Sequence, residues 1–311
     1  MTQSLISIVT PCLNRAEYVR EAVESVLIQN YPNVEHIVMD GGSTDGTLDI
    51  LRAYPHLHVV SEPDQGMYDA INKGLRMAKG EIIGLLNTDD IYLEGCFKTV
   101  ADVFEHHPDA LAVVGGITTF HDDPAGRRTV NTVPAIEPGE LWFRLIQGPP
   151  VTNAWFFRPA VFKRLGYFDT RSRYSSDRYF LIHVALDGGV RPTPIRQVLY
   201  AYRQHAGSVT ITDLDGRDPK YGAVRMKILQ EDLGFLEDFL NRPHLPAEVR
   251  QRMRHEHSVR CYRLAATAFY HRRFALALGT LRRGFQRNLL LPFIFTEMAI
   301  HRLKKEISGY E

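Results

Sequence analysis

The sequence predicts an α/β fold, a three-layer and mostly parallel sheet with helices on both faces, followed by a C-terminal α-helical region. Apolar, β-branched runs alternate with segments of helical periodicity up to about residue 118, a pattern typical of parallel sheets. From about residue 217 onward helical spacing replaces the strand pattern. We therefore expect two domains, 1–215 and 216–311.

The strands and helices of the first domain follow one another closely. The first strand, 6–9, is β-branched and apolar, and the helix over 15–29 has apolar residues at helical spacing. The alternation continues through strands 34–39, 57–60, 82–86 and 111–118 and helices 47–54, 67–78 and 95–104.

After residue 118 the predicted elements are shorter and more polar. We expect a hairpin over 121–133, helices over 137–146, 159–165 and 177–186, and strands over 154–157 and 198–203. In the C-terminal region we expect helices over 221–240, 247–270, 273–286 and 293–306.

The charge of the chain is unevenly distributed. The 311 residues have a formal net charge of +1, yet residues 216–311 hold 18 Lys and Arg against 10 Asp and Glu. The C-terminal region is therefore +8 and residues 1–215 are −7. A basic helical region suits an anionic surface such as membrane lipid or a lipid-linked phosphate. No recognition motif supports binding to nucleic acid.

Cysteine usage and hydropathy indicate the compartment. Cys12, Cys96 and Cys261 are far apart, which predicts no disulfide framework or zinc site and favours a reducing compartment. The first residues predict no signal peptide, and the apolar runs fall short of the roughly 18 residues of a spanning helix. We expect a cytoplasmic protein. Its basic helices suit either the inner face of the cytoplasmic membrane, as a peripheral contact, or a bundle with a homodimer surface.

Polar residues, many of them carboxylates, follow the predicted strands, where ligands bind in open α/β sheets. The first of these loops lacks the Gly-x-Gly-x-x-Gly of dinucleotide-binding proteins, and a P-loop is absent. A divalent cation is the alternative way to balance phosphate charge. Asp89 and Asp90 offer the carboxylate oxygens that Mg²⁺ and Mn²⁺ prefer, although an Asp-rich turn or a helix cap would read the same. Asp40 and Asp45 favour a ligand site, although their loop also has strong turn chemistry.

Four segments then occur in a specific order. They are Thr-Pro-x-x-Asn-Arg at 10–15, Asp-Gly-Gly-Ser-Thr-Asp-Gly-Thr at 40–47, Ser-Glu-Pro-Asp-x-Gly-x-Tyr-Asp-Ala-x-Asn-Lys-Gly at 61–74, and Leu-Asn-x-Asp-Asp at 86–90. This order resembles the family 2 glycosyltransferases with the GT-A fold, in particular the bacterial enzymes of O-antigen, capsule and exopolysaccharide synthesis. The likeness covers about residues 5–210.

The resemblance implies an inverting, metal-dependent hexosyl- or N-acetylhexosaminyl-transferase. Its cofactor would be Mn²⁺ or Mg²⁺. Its donor would be a nucleoside-diphosphate sugar, most simply a UDP-sugar, and its acceptor a glycan or a lipid-linked saccharide of cell-surface polysaccharide synthesis. The motifs identify the family without specifying the sugar.

The resemblance also assigns roles to matching positions. Asp177 matches the catalytic base, which takes the acceptor hydroxyl proton, although a first-turn carboxylate also suits a helix dipole. The metal is assigned to Asp90, with Asp89 as a metal or ribose ligand and His205 as a further metal candidate, although His205 also suits a surface loop. The donor-binding set is Pro11, Asn14, Arg15, Asp40, Gly42, Asp45, Asp64, Asp69, Asn72, Lys73 and Asp89.

One departure leaves a second function open. Related sequences often carry a His-Gln pair before the segment 156–158, where this chain has Pro150, Val151, Thr152 and Asn153. The alternative is a non-catalytic nucleotide-sugar-binding or scaffold protein with a degenerate site. A nucleotidyltransferase would share the architecture, but the first loop lacks the Gly-rich, basic sequence that suits a triphosphate.

Overall fold

The structure is a computed structural model that describes residues 3–135, 145, 152–205, 207–208 and 219–287. Two compact units form the chain, Met1–Ala206 and Gly207–Glu311. The first unit is α/β and the described part of the second is helical, so the predicted fold class is confirmed. The helix predicted over 293–306, and that over 137–146 apart from Leu145, lie outside the described residues.

The elements follow the predicted order. The first unit contains β1 (Ile6–Cys12), α1 (Val19–Leu27), β2 (Val34–Asp40), α2 (Thr47–Arg52), β3 (Leu57–Ser61), α3 (Met67–Met77), β4 (Ile82–Leu85), β5 (Ile91–Tyr92), α4 (Cys96–His106), β6 (Ala112–Asp123), β7 (Gly126–Val133), β8 (Trp155–Phe157), α5 (Pro159–Leu165), α6 (Ser176–Leu186) and β9 (Pro192–Arg203). The second contains α7 (Pro219–Leu240), α8 (Ala247–Tyr270) and α9 (Phe274–Arg287).

The strands form one sheet in the order β3-β2-β1-β4-β8-β6-β9-β5, with β7 paired to β6. The four strands at the β3 end of the sheet are parallel. Strand β8 runs antiparallel to both β4 and β6, whereas β6 and β9 are parallel. Because parallel strands end at a common edge, the loops after β1, β2, β3 and β4 meet there, at the position where α/β sheets bind ligands.

Strand β1 is buried along its whole length and contacts a helix layer on each face. Ile6 and Ile8 pack in one core cluster with the apolar side chains of α1 and α4. On the opposite face Val9 meets α3 at Gly74, where an added Cβ would lie 2.5 Å from Val9 Cγ1. The alternation of side chains along a strand therefore produces the three layers.

The starts of one helix and one strand differ from the sequence prediction for tertiary reasons, and one short strand was not predicted. Helix α1 begins at Val19 rather than at residue 15, because the residues before it bond to the loop after β2. Strand β9 begins at Pro192 rather than at residue 198, because it pairs along β6. The two-residue strand β5 is too short for a periodic signal. The hairpin predicted over 121–133 is formed by β6 and β7.

The described helices of the second unit pack around a small apolar core, and a cluster of ion pairs lies beside it. Leu233, Leu264 and Ala277 belong to the apolar cluster, one from each helix. Beside it, Glu237 of α7 pairs with His257 of α8 at 2.8 Å and with Arg283 of α9 at 2.7 Å. In the described part of the chain, every helix is too short or too polar to cross a bilayer.

Candidate functional site

The loop after β1 is hydrogen-bonded to the loop after β2. The Asn14 N–H donates to Ser43 Oγ over 2.7 Å, and the Thr44 N–H donates to Asn14 Oδ1 over 2.9 Å. Asn14 adopts a left-handed backbone with φ of 51°. Pro11, expected to contact the nucleotide, is buried within β1 opposite Met39, which favours a role in shaping the strand end.

Asp45 joins the same two loops at the start of α2. Its carboxylate accepts the Ala16 N–H at 3.1 Å and both the N–H and the hydroxyl of Thr47. The bond from the Thr47 hydroxyl is the main cause that lowers the pKa of Asp45. Arg15 donates its backbone N–H to Thr47 Oγ1. Asp45 thus holds the loops after β1 and β2 together.

Asp40 organises the turn that follows β2. It is 2% exposed, and one carboxylate oxygen accepts the N–H groups of Gly42 and Ser43, each at 3.0 Å, and the Ser61 hydroxyl at 2.6 Å. Gly42 has φ of +91°, a backbone conformation that favours glycine. Burial by itself would raise the pKa of Asp40, but the hydrogen bonds from Ser43 and Ser61 lower it below its ordinary value. Asp40 is therefore held as an anion at the strand end.

Charged side chains of α3 and of the segment before it pair with one another. Lys73 lies 2.9 Å from a carboxylate oxygen of Glu62 and 3.3 Å from one of Asp69. The hydrogen bond to Glu62 is the main cause that raises the pKa of Lys73. Asp64 accepts the N–H of Gly66 at 2.8 Å. Because two carboxylates already surround Lys73, this geometry gives less support to its predicted role against a donor diphosphate.

Asn72 braces a loop, which differs from the donor contact predicted for it. The residue is 3% exposed. Its amide nitrogen donates to the Phe168 carbonyl at 2.8 Å, and its amide oxygen accepts the Phe168 N–H at 3.0 Å. Both ends of the amide are thus engaged by backbone. Asp169, which follows Phe168, accepts hydrogen bonds from the backbone N–H and the guanidinium of Arg171 and so braces the same loop.

Asp90 is a structural residue in this fold, which corrects its assignment as the principal metal ligand. Its side chain is fully buried. One carboxylate oxygen accepts the Tyr200 hydroxyl at 2.6 Å and the Asn87 amide at 3.3 Å, and the other accepts the Arg203 N–H at 2.8 Å. Burial, with the charge of Asp89, raises the pKa of Asp90 to about 8, against the opposing effect of these bonds. Donors from the end of β9 occupy both oxygens.

Asp89 is the more accessible carboxylate, with 23% of its side chain exposed. Its Oδ2 atom lies 3.1 Å from His205 Nε2, and the His205 ring also packs on Tyr18 with centroids 4.7 Å apart. Arg203 donates from Nε to the Asp89 carbonyl. Arg203 also pairs with Glu21 and lies 5% exposed, so it fixes the turn rather than serving as the phosphate contact that a basic residue here would suggest.

Asp89 and His205 fit a divalent cation as two of its ligands. A carboxylate oxygen and an imidazole nitrogen converge on one point, and both are ordinary ligands of divalent transition metals. Among the described residues no group of three or more His, Cys, Asp or Glu side chains converges in this way. Mg²⁺-like ions commonly take one or two protein ligands and complete their shell with water and substrate phosphate.

The predicted base, Asp177, lies in the first turn of α6. Its Oδ1 atom accepts the Tyr68 hydroxyl at 3.0 Å and its neighbour's backbone N–H, that of Arg178, at 2.7 Å. Tyr68 belongs to α3, is 3% exposed and stacks on Phe168 with centroids 5.7 Å apart. Tyr68 therefore links the segment that follows the donor loops to the carboxylate expected to do the chemistry.

The sequence did not predict the roles of three residues in this network. Tyr68 lies inside the motif 61–74 but reads as a core aromatic, and Tyr200 reads as part of a strand. Asn153, at the departure from related sequences, donates to the Tyr200 hydroxyl at 2.7 Å, which in turn donates to Asp90. The departure therefore supports the turn of Asp89 and Asp90 through Tyr200, a contact over 47 residues of sequence that no local pattern signals.

The fold and these loops define a GT-A-type glycosyltransferase. The chain aligns with the mannosyltransferase PcManGT from Pyrobaculum calidifontis in complex with GDP-Man and Mn²⁺ at a TM-score of 0.57 and 20% identity, over 93% of this chain and 81% of that one. It aligns with Staphylococcus aureus TarS 1-349 in complex with UDP-GlcNAc at 0.55 and 17%, over 89% of each chain. At such identities the likeness concerns the fold.

The sequence profile of Glycosyl transferase family 2 matches residues 7–165, just over half of the chain. The chain therefore belongs to this family. Among its relatives, glycosyltransferase GlyG of Streptococcus pneumoniae is 28% identical over 68% of this chain and 74% of that protein. A PGL/p-HBAD biosynthesis glycosyltransferase of Mycobacterium tuberculosis is 28% identical over 68% and 82%. The predicted family and enzyme class are confirmed.

Proposed function

We propose that this glycosyltransferase moves a hexosyl or N-acetylhexosaminyl group from a UDP-sugar to a saccharide or lipid-linked saccharide, with inversion, in cell-surface polysaccharide synthesis. The contact of Tyr68 with Asp177 carries the proposal, because it joins the donor segment to the candidate base. The UDP-GlcNAc complex of TarS supports the donor class. Relatives named for teichuronic acid biosynthesis in Bacillus subtilis and for PGL/p-HBAD biosynthesis in Mycobacterium tuberculosis support a role of this kind.

In the proposed reaction the acceptor oxygen bonds to the anomeric carbon while the bond from that carbon to the diphosphate breaks on the opposite face. Asp177 takes the hydroxyl proton on a carboxylate oxygen. Tyr68 and the Arg178 N–H hold the other oxygen, so that the carboxylate keeps one orientation. A bound Mn²⁺ or Mg²⁺ would offset the charge of the departing diphosphate, held by Asp89 and His205.

The proposal includes a cytoplasmic location. Cys12, Cys96 and Cys261 are all free and buried, which is compatible with a reducing compartment. The alternative, a non-catalytic nucleotide-sugar-binding protein, separates from the enzyme in one assay: with metal present, a competent site releases nucleoside diphosphate slowly from the donor even without acceptor, whereas a binding protein does not.

We expect Asp177→Asn to lower the rate of sugar transfer by about 10²–10⁴-fold, the usual contribution of a general base. UDP binding in the presence of Mn²⁺ should remain, and the rise in melting temperature that it produces measures it. Asp187→Asn, at the other end of α6, is the matched control and should retain activity. Full transfer by Asp177→Asn would contradict the assigned base, and no thermal shift with any nucleotide would contradict the donor site.

A further inference from the structure

Helix α9 has two faces of different character. One face is turned to the core of the second unit and carries the small buried residues Ala277, Thr280 and Gly284. The other carries large apolar side chains that stay exposed: 51% for Phe274, 68% for Leu278 and 41% for Phe285. Helix α9 thus buries small residues on one face and exposes large apolar side chains on the other.

The exposed side chains form one continuous surface with the end of α8. Phe274, Leu278 and Phe285 are four and seven residues apart, which are spacings of about one and two helical turns, so they share one stripe. Phe269 of α8 is 65% exposed and its ring lies 5.3 Å from that of Phe274. We call these four residues, Phe269, Phe274, Leu278 and Phe285, the apolar ridge.

The stretch of chain that contains the apolar ridge carries charge of a single sign. Residues 257–287 contain seven Arg and neither Asp nor Glu. Arg272 and Arg273 directly precede the first ridge residue of α9, and Arg282 lies between the last two; all three are exposed. By contrast, Arg260, Arg283 and Arg287 pair with carboxylates of the bundle. Three exposed cations thus stand beside the ridge in the sequence, and Arg263 of α8 is exposed as well.

We propose that the apolar ridge and its flanking arginines bind the surface of an anionic lipid bilayer. Aromatic and leucine side chains enter the boundary between headgroups and acyl chains, and arginines beside them meet anionic headgroups. Contiguous exposed apolar surface with a charged rim marks an interaction site. The proposed membrane contact takes no part in sugar transfer. It specifies the residues through which the basic C-terminal region would contact a bilayer.

A second copy of the chain fits this surface less well. A two-fold dimer would place the same patch on both sides of the interface. Arg272, Arg273 and Arg282 of each copy would then approach those of the other, and like charges brought together across an interface are unfavourable. The same arginines are attracted by a bilayer that contains anionic lipid.

Vesicle sedimentation of the full chain tests the proposal. We expect binding to vesicles that contain phosphatidylglycerol, weaker binding as salt is added, and little binding to vesicles of phosphatidylcholine alone. The double change R273Q/R282Q should lower the partition coefficient about tenfold or more, because each basic residue near the surface contributes appreciably. R191Q/R196Q removes two exposed arginines of the first unit and should change it little.

A second test variant, with its own control, measures the apolar contribution to vesicle binding. F274Q/L278Q should lower vesicle binding, also at low salt, whereas L27Q/I28Q removes apolar residues of comparable exposure from the first unit and should not. Absence of binding to anionic vesicles, or equal binding of the two variants, would overturn the proposal. The proposal would also be overturned by a ridge variant that keeps vesicle binding but changes the oligomeric mass. The same holds for a ridge variant that keeps vesicle binding but makes residues 288–311 accessible to protease.

The same variants separate this proposal from the catalytic one. Donor hydrolysis without vesicles should be unchanged in F274Q/L278Q, because the apolar ridge belongs to the C-terminal unit and not to the donor loops. A chain that binds vesicles but no nucleotide would refute the proposed function and leave the membrane surface standing.

Discussion

Asp89 and Asp90 are neighbours in the sequence but have opposite roles. Asp90 is fully buried and receives hydrogen bonds from Tyr200 and Arg203. Asp89 keeps part of its side chain exposed and faces His205. Because consecutive side chains after a strand point in different directions, one carboxylate is available to a ligand while the other orders the turn.

This division predicts two distinct phenotypes. Asp89→Ala should weaken the stabilisation by UDP with Mn²⁺ and leave the melting temperature of the ligand-free protein nearly unchanged. Asp90→Ala should lower the free energy of unfolding by about 2 kcal/mol or more, because buried donors of Tyr200 and Arg203 lose their acceptor. Thermal unfolding with and without ligand measures both. Equal losses of stability in the two variants would contradict the division.

Tyr68 is expected to be a positioning residue. Tyr68→Phe removes the hydrogen bond to Asp177 and keeps the stacking on Phe168. We expect kcat to fall roughly tenfold with KM for the donor little changed, in line with about 1–2 kcal/mol for such a bond.

Tyr167→Phe is the control for Tyr68→Phe. Tyr167 belongs to the same aromatic group but is 40% exposed and lies under Arg76. It should leave both kcat and KM unchanged. A Tyr68 variant that lost stability but kept the wild-type kcat would show a role in packing alone.

At the scale of elements, helix α3 carries much of the site. It supplies Tyr68 to Asp177 and Asn72 to the loop at Phe168, and it begins directly after the turn of Asp64. Its position depends on its approach to β1 at Gly74. A helix this close to the sheet transmits any displacement to each of these contacts, because protein interiors are tightly packed.

We therefore expect Gly74→Ala to destabilise the protein by about 1–3 kcal/mol, the usual cost of overpacking. Val9 and Met39 are both within 3.1 Å of the added Cβ position, and Val9 has no flexible side chain that could move away. Gly279→Ala, in α9, meets nothing within 4 Å. It should stabilise its helix by about 0.5–1 kcal/mol. Chemical denaturation measures both, and two changes of the same sign would contradict this packing argument.

At the scale of the whole molecule, the two units hold charge in different ways. Residues 1–215 concentrate carboxylates at the strand ends, whereas the C-terminal helices are basic and are joined by a few acidic residues. Glu237 is the clearest of these, since it connects α7 with His257 of α8 and with Arg283 of α9. Burial by itself would raise the pKa of Glu237, but the bonds from His257 and Arg283 lower it to about 2.

The depressed pKa of Glu237 predicts how the stability of the chain changes with acid. Its contribution should be fully present above the ordinary value of 4.5 and should be lost as pH falls from there toward about 2. Glu237→Gln should therefore be less stable than the wild type at pH 7, with a difference that shrinks below pH 4.5. Thermal unfolding followed by helical circular dichroism measures this. Glu248→Gln, on the exposed face of α8, is the control and should lower the stability at pH 7 by less than Glu237→Gln.

Local patterns predicted most elements, because apolar residues recur about every two residues in strands and every 3.6 residues in helices. This periodicity does not depend on the neighbouring elements. Strands β1 to β4 and helices α3, α4 and α8 illustrate this. Strand β5 and the first half of β9 were not predicted, because their pairing partners are remote in sequence. The strand-end positions of Asp40, Asp45 and Asp89 were also readable, because a polar residue after an apolar run marks a sheet edge.

The sequence by itself determined the fold class, the family and the edge of the sheet where the site lies, since all three depend on local composition and on motif order. Only the tertiary structure decided which carboxylate is available. It buried Asp90 beneath Tyr200, left Asp89 facing His205 and joined Tyr68 to Asp177 across 109 residues. Contacts over such distances arise from packing, which chain periodicity does not encode.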